Sequence, residues 1–297
     1  MPEIAHSFVE ANGLRFHCAH AGKGGKLILF LHGFPEFWRC WRALLAHFGA
    51  RGWLAVAPDL RGYNLSDKPG GVEAYRAKHL VADIGALAAR FTQEKFVLVA
   101  HDWGGAAGWG FAIAHPERLS HLVIVNSPHP YTFWRELRTN PAQQKASEYM
   151  LLFRAAKAER VLSENGYARL LKAFAGFGSD VLGDEDRAAY LEAWSQPGAL
   201  TGGLNYYRAS PLHPPTPEDP GPEKLNLDPA SFIARVPTLV LWGEQDRALL
   251  TGCLDGLEQC VPDLKVVRVP DASHWIVHEK PSRVASEIES FVGAGGG

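Results

Sequence analysis

Short apolar runs of strand length alternate along the chain with longer segments of helical character, starting at residues 27–31 (LILFL) and continuing at 54–57, 96–100 and 122–125. Each run ends in a loop rich in Gly, Pro, Asp, Asn or His. Runs that are apolar at every position suit strands buried on both faces, as in a parallel sheet between two layers of helices. A fifth run, 238–242, and a sixth, 265–269, resume the pattern after about a hundred residues of different character. That interval, 129–228, is rich in helix formers and free of buried-strand runs. The expected fold class is α/β: a mostly parallel central sheet flanked by helices, with an inserted helical cap. The predicted division is a first core part at 1–128, the cap at 129–228 and a second core part at 229–297. Within the cap, residues 211–222 (PLHPPTPEDPGP) hold six prolines. This stretch is predicted to run as an extended strap and not as a helix. The glycine-rich end, 293–297, reads as a tail.

Composition narrows the classes of function. With 297 residues, 46% of them hydrophobic, the chain buries a large core, and disorder is excluded. Thirty Lys plus Arg against 32 Asp plus Glu give a formal charge of -2 with no long basic run, so nucleic acid is not an expected partner. Cys18, Cys40, Cys253 and Cys260 lie far apart with no CxxC pairing, which suits a reducing compartment and argues against a zinc ribbon or a disulfide scaffold. No basic start with an apolar run opens the chain, and no apolar stretch has the length of a membrane span. The expectation is a cytoplasmic protein with no membrane partner. Oligomeric state is left open.

The strongest chemical signal follows the run 96–100 (FVLVA). It leads into His101, Asp102, Trp103, Gly104 and Gly105, and then into the small, apolar helical stretch 106–114. This is the shape of a nucleophile elbow, a strained strand-to-helix turn in which the residues two before and two after the nucleophile must be small. Ala100 and Gly104 fill those positions. Where a serine elbow would read GxSxG, this chain has AHDWG, so a carboxylate stands in the hydroxyl's place. A carboxylate, with a reference pKa of about 3.9, is already ionised at neutral pH and can displace a leaving group at an sp3 carbon. The plainer reading is that Asp102 caps the following helix.

A hydrolytic triad on such a scaffold runs nucleophile, acid, histidine along the chain. Asp246 lies on the loop after 238–242, and His274 lies after 265–269. The order Asp102, Asp246, His274 is therefore complete, with Glu244 as a second candidate for the acid. His274 would activate water against an ester on Asp102, and Asp246 would fix its tautomer. Among 13 histidines, His32, His101 and His278 are assigned to holding loops together. An oxyanion hole would use the backbone N–H groups of Trp103 and Phe34. The second follows from His32-Gly33-Phe34-Pro35 after the first run, with Gly33 permitting an unusual turn. The alternative for that segment is an ordinary strand-to-helix loop.

HGFPEFW (32–38), DLRGYNLSDKP (59–69), HDWGG (101–105) and NSPHP (126–130) resemble the landmarks of the soluble epoxide hydrolases of the α/β-hydrolase superfamily, and the likeness runs essentially end to end. They are shared in part with haloalkane and haloacetate dehalogenases. The resemblance implies two cap tyrosines over the nucleophile, one in a YxxxF-like segment and one in an LNWYR-like segment. Tyr149 in SEYMLLF and Tyr207 in LNYYR match those positions. Phenols suit the task, because they stay protonated at neutral pH and can still give a proton to a nascent alkoxide. Tyr206 stands where the family usually has Trp, so either neighbour could face inward. Tyr149 could instead pack within the cap among Met150, Leu152 and Phe153.

A dehalogenase would want N–H donors for a departing halide. Trp103 offers one, but Phe34 occupies the position where a haloalkane dehalogenase commonly has Asn, and the cap tryptophans Trp134 and Trp194 fit no such pattern. Haloacetate dehalogenases carry HDRG, and Trp103 replaces that Arg. A third class is a ligand-binding relative without catalysis, which would be free to lose triad residues that this chain retains. The apparent phosphate loop at 20–27 fails the required spacing, HExxH fails at Ser282, and Phe37, Trp38 and Trp41 have the spacing of a buried helix face. The expectation is cofactor-free, metal-free hydrolysis of a small-molecule epoxide to a vicinal diol, with a dehalogenase as the alternative.

Overall fold

The computed structural model describes residues 3–174 and 181–293. Among them, eight strands form one sheet in the order β1-β2-β4-β3-β5-β6-β7-β8. The strands are β1 (Ala5–Ala11), β2 (Leu14–Ala21), β3 (Lys26–Leu31), β4 (Trp53–Pro58), β5 (Phe96–His101), β6 (Leu119–Val125), β7 (Thr238–Gly243) and β8 (Leu264–Val269). From β4 through β8 neighbours pair in parallel, whereas β1 with β2 and β2 with β4 are antiparallel. All six predicted strands are present, and the antiparallel β1–β2 hairpin is an addition to them. Its turn is Asn12-Gly13, with φ of 47° and 72°, the pair that a two-residue hairpin turn favours.

The helices of the core are α1 (Arg42–Gly49), α2 (Ala77–Phe91) and α3 (Asp102–Ala114). Between β6 and β7 come α4 (Pro130–Thr139), α5 (Pro141–Ala146), α6 (Tyr149–Arg154), α7 (Ala158–Ala173), α8 (Asp184–Ser195) and α9 (Ala199–Ala209), and α10 (Ile276–Glu279) and α11 (Pro281–Gly293) close the chain. Gly293 thus ends a helix, and the rest of the glycine-rich stretch read as a tail lies outside the described residues. The proline-rich stretch is irregular up to a short 3-10 turn at Gly221–Lys224, as an extended strap requires. No helix among the described residues is long and apolar enough to cross a membrane.

Alternation along the buried strands sends side chains into two separate cores. Val97 and Val99 of β5 pack with Leu44, Leu45 and Phe48 of α1 and with Val284 and Ile288 of α11. Phe96, Leu98 and Ala100 face the other way, among Leu80, Ile84 and Leu87 of α2 and Trp109 and Phe111 of α3. Two covered faces make the central strands β3 to β7 nearly continuously apolar. The polar residues are thereby displaced to the strand ends, and the loops after β3, β5, β6, β7 and β8 carry them together along the carboxyl edge of the sheet.

The DLRGYNLSDKP segment braces the loop after β4. Asp59, fully buried, accepts from the Trp38 backbone N–H at 3.0 Å and the Asn64 amide at 2.8 Å and lies 2.7 Å from His17 Nδ1. Arg61 forks onto Asp83 at 2.5 Å through two nitrogens and also reaches the Ala74 carbonyl at 2.5 Å. This pair is buried, so losing one partner would strand a charge.

Candidate active site

Asp102 begins α3 directly after β5 and holds φ at 49°, a left-handed conformation that costs a non-glycine residue about 1–3 kcal/mol. The surroundings leave no alternative. A Cβ on Gly104 would lie 2.5 Å from the carbonyl oxygens of both Leu31 and His32, so the helix can approach β3 only with glycine there. A Cβ on Gly33 would lie 2.1 Å from Asp102 Oδ1. Gly33 is not among the positive-φ glycines, so its function is close approach to the carboxylate and not the unusual turn expected from the sequence. Ser127 Oγ donates to the Asp102 carbonyl at 2.7 Å and fixes the turn from the β6 side.

One carboxylate oxygen of Asp102 accepts the Phe34 backbone N–H at 2.7 Å, and the other lies 3.8 Å from His274 Nε2. Trp103, whose N–H follows the carboxylate in the chain, packs its ring edge-on against Tyr207 at 5.0 Å. The far nitrogen of His274, Nδ1, lies 2.7 Å from Asp246 Oδ2. Asp246 is 4% exposed and takes further bonds from the Ala248 and Leu249 backbone N–H groups at 2.8 and 2.9 Å and from the Asn126 amide at 2.9 Å. Burial would push this carboxyl up, but the His274 charge and hydrogen bond, with those from Leu249 and Asn126, hold it below the ordinary range. Burial likewise pushes the His274 ring down, and the Asp246 charge and hydrogen bond, then Asp102 and Glu36, override it and lift the ring to about 9. Glu244, the second candidate acid, points to Arg268 at 3.2 Å on the surface and takes no part.

Two cavities meet at Asp102. One, of about 340 Å³, is lined by Phe34, Leu152, Phe153, Leu170, His274 and Trp275 among others. The other, of about 490 Å³, is bounded by apolar groups such as Leu80, Ile113, Phe133, Met150, Leu227 and Phe232. Tyr149 and Tyr207 line both cavities together with Asp102. Tyr149 is partly buried at the start of α6, and Tyr207 is 3% exposed on α9. Burial first, and the Asp102 charge second, push both phenols well above the ordinary tyrosine value, so both remain protonated. Tyr206 turns away: its hydroxyl donates to the Arg61 carbonyl at 3.0 Å. Tyr206 borders only the larger cavity, whereas Tyr207 borders both cavities that meet at Asp102.

The chain matches the alpha/beta hydrolase fold family over residues 26–281. It belongs to that family. This α/β hydrolase is 40% identical to the AB hydrolase superfamily protein YfhM of Bacillus subtilis (strain 168), over 98% of this chain and 99% of that one. It is 34% identical to Epoxide hydrolase 2 of Caenorhabditis elegans, over 97% of this chain and 79% of the relative. Among solved structures, a Bacillus megaterium epoxide hydrolase in complex with an inhibitor superposes with a TM-score of 0.88 at 37% identity, over 97% of this chain and 100% of that one. A mutant of a Bacillus megaterium epoxide hydrolase complexed with its product (R)-3-[1]naphthyloxy-propane-1,2-diol gives 0.86, also at 37% identity, over 97% of this chain and 100% of that one.

Several participants escape a reading of motifs alone. Asn126 donates to Asp246 and accepts the Gly243 N–H at 2.8 Å, joining the β6 and β7 loops. Its signal was present in NSPHP, but the pairing partner is 120 residues away. Glu36 and His101 form a buried pair behind His274 at 2.9 Å. Of the histidines assigned to loops, His32 spans the Gly33 carbonyl at 2.9 Å and the Leu60 N–H at 3.0 Å.

Proposed function

We propose that this α/β hydrolase is an epoxide hydrolase that makes vicinal diols through a covalent ester on Asp102. The observation that carries the reading is the convergence of Tyr149 and Tyr207 on the two cavities that meet at Asp102. An epoxide has a poor leaving group unless its oxygen is protonated as the ring opens, and two phenols beside a carboxylate supply that acid. In the first stage Asp102 attacks a ring carbon, the C–O bond breaks, and a phenol proton passes to the alkoxide. In the second, His274 takes a proton from water as the water attacks the ester carbonyl, and the backbone N–H groups of Phe34 and Trp103 hold the oxyanion. Its collapse breaks the ester C–O bond, the departing diol oxygen takes the proton from His274, and the regenerated Asp102 carboxyl returns a proton to the phenolate. Asp246 keeps the His274 tautomer and steadies the imidazolium. Ester formation removes the Asp102 charge, one of the influences that raise His274. The ring therefore releases its proton more readily at the stage where water must be deprotonated.

We assign 129–228 as the cap between core parts 1–128 and 229–297, since α6, α7 and α9 wall the cavities around Asp102. No step calls for a cofactor. The four free cysteines are buried, which suits a cytoplasmic location. Dehalogenation is disfavoured because both cap indole N–H groups are engaged: Trp134 donates to the Pro222 carbonyl at 2.9 Å and Trp194 to the Pro35 carbonyl at 2.6 Å. A single turnover of an aryl glycidyl ether in 18O-water tests the ester. The diol should leave unlabelled and the peptide containing Asp102 should gain the label. A labelled diol with unlabelled Asp102 would mean direct attack by water and overturn the covalent route.

A further inference from the structure

We propose that Arg169 and Arg247 make the smaller cavity an anion subsite, so that the preferred substrate is an epoxide with an apolar arm for the larger cavity and an arm ending in a carboxylate for the smaller one. The two cavities differ in charge. Asp102 is the only charged side chain among the described residues that line the larger, of about 490 Å³. The smaller, of about 340 Å³, adds Arg169 and Arg247 to Asp102 and His274, and no second acid lines it. Both arginines are exposed, and neither has a hydrogen-bond or ion-pair partner among the described residues. The neutral polar groups beside them are already engaged: Gln245 Nε2 donates to the Pro270 carbonyl at 3.0 Å and Ser273 Oγ to Glu279 at 2.7 Å. Two guanidiniums, permanently charged and rich in N–H donors, are thus left free on the wall of one cavity.

The backbone beneath each cation is tied to the site. Asp246 accepts the Ala248 and Leu249 N–H groups at 2.8 and 2.9 Å, which fixes the turn that carries Arg247. Arg169 follows a break in α7, where Asn165, Gly166 and Tyr167 have φ of 52°, 63° and 61°, and the helix resumes with Leu170 and Ala173 in the cavity wall. Trp275 Nε1 donates to the Ala173 carbonyl at 2.7 Å and ties that end of α7 to the residue after His274. Physical chemistry then fixes which arm goes where. A carboxylate placed among Leu80, Phe133 and Met150 would lose its hydration with no partner, whereas at the arginines it gains one and keeps contact with water. An anionic substrate also approaches the Asp102 carboxylate against repulsion, and two cations on the same cavity offset that repulsion.

The test compares epoxides that carry a phenyl ring on one ring carbon and, on the other, a short alkyl arm ending in a carboxylate or in its primary amide. At low salt kcat/KM for the acid should exceed that for the amide about tenfold, chiefly through KM, and the advantage should shrink as salt screens the charges. In the double variant Arg169→Gln, Arg247→Gln the acid-to-amide ratio should fall to about one, and in Arg169→Lys, Arg247→Lys part of it should return. A ratio of one in the wild-type chain, or a ratio unchanged in the Gln variant, overturns the proposal. The kinetic arm rests on the epoxide reading, so a second measurement bears on the subsite alone. Phenylbutyrate and phenylbutyramide are titrated into the wild-type chain and the Gln variant by calorimetry. The acid should bind the wild-type chain about tenfold more tightly than the amide, and the variant should bind the two alike. Equal affinities in the wild-type chain, or no binding of the acid, overturn the subsite whether or not an epoxide is turned over. Tighter binding of the acid that the Gln variant loses, with no epoxide turned over, would uphold the subsite and sink the epoxide reading instead.

Discussion

Replacing Asp246 with Asn should change the pH dependence of folding as well as the rate. His274 Nδ1 lies 2.7 Å from Asp246 Oδ2, with the Asp side chain fully buried and the ring 12% exposed. The ring is lifted from 6.5 to about 9. A raised histidine contributes stability that is fully present below its unfolded value and is lost as pH rises through its folded value. Two to three pH units at 1.36 kcal/mol each correspond to about 3 kcal/mol, surrendered between pH 6.5 and 9. The lowered Asp246 carboxyl expresses the same contact on the acid side, where its contribution disappears as pH falls, and it is not counted again. In Asp246→Asn the charge is gone, burial dominates, and the ring falls back toward or below its ordinary value.

The expected result is a wild-type unfolding free energy that declines by about 3 kcal/mol from pH 6.5 to 9.5 relative to a nearly flat Asp246→Asn curve, read by urea denaturation at several pH values. Turnover at pH 7 should fall about 10⁴-fold, because the Asn amide holds the ring in the wrong tautomer. Two stability curves that stay parallel across this window would refute the charge coupling between Asp246 and His274.

His274→Gln should leave alkylation intact and slow ester hydrolysis by about 10²- to 10⁴-fold. Mass spectrometry would then find one equivalent of adduct on the peptide containing Asp102, and an unmodified peptide after full substrate exposure would count against the assignment. Tyr149→Phe or Tyr207→Phe should each slow ring opening by about 10²-fold with ester hydrolysis little changed, whereas Tyr206→Phe should chiefly loosen the Arg61 loop. Stopped-flow kinetics separates the two stages. Gly104→Ala forces a Cβ to within 2.5 Å of two backbone carbonyls and should prevent accumulation of folded protein, as seen in soluble yield. Arg61→Ala strands Asp83 and should destabilise the fold by about 3–5 kcal/mol in denaturant melts.

Five of the six strands legible in the sequence, β3 to β7, are largely buried on both faces and nearly continuously apolar, whereas β8 is a mostly exposed edge strand whose valines alone marked it. β1 did not declare itself that way. It is an edge strand with mixed burial, and its Phe8 is 47% exposed beneath the Arg15 guanidinium. Its one clear signal, Asn12-Gly13, is a turn and not a run. Asp102, Asp246 and His274 were legible because chain order on this scaffold constrains them. The contacts of Glu36 with His101, His278 and Tyr190 were not, because partners 65 to 242 residues apart carry no local pattern. Tyr206 and Tyr207 show the same limit at shorter range. Adjacent residues on a helix point about 100° apart, and packing ties the Tyr206 hydroxyl to the Arg61 carbonyl while Tyr207, against Phe34, borders both cavities.

The site is organised around one negative charge that moves. At rest it is on Asp102, which accepts the Phe34 N–H, and there it helps both phenols keep their protons. In the proposed reaction, as the carboxylate attacks, the charge leaves Asp102 and reappears on the ring oxygen, so the influence that held the phenol protons weakens as the alkoxide forms. The same departure lowers the demand for charge on His274, which then meets water as a base. On the proposed route, acid and base are activated in sequence by a single transfer of charge. A halide leaving group would carry the charge out of the site and leave two phenols with nothing to protonate. Proton donation by Tyr149 and Tyr207 beside Asp102 therefore serves an epoxide, whereas a departing halide needs no proton.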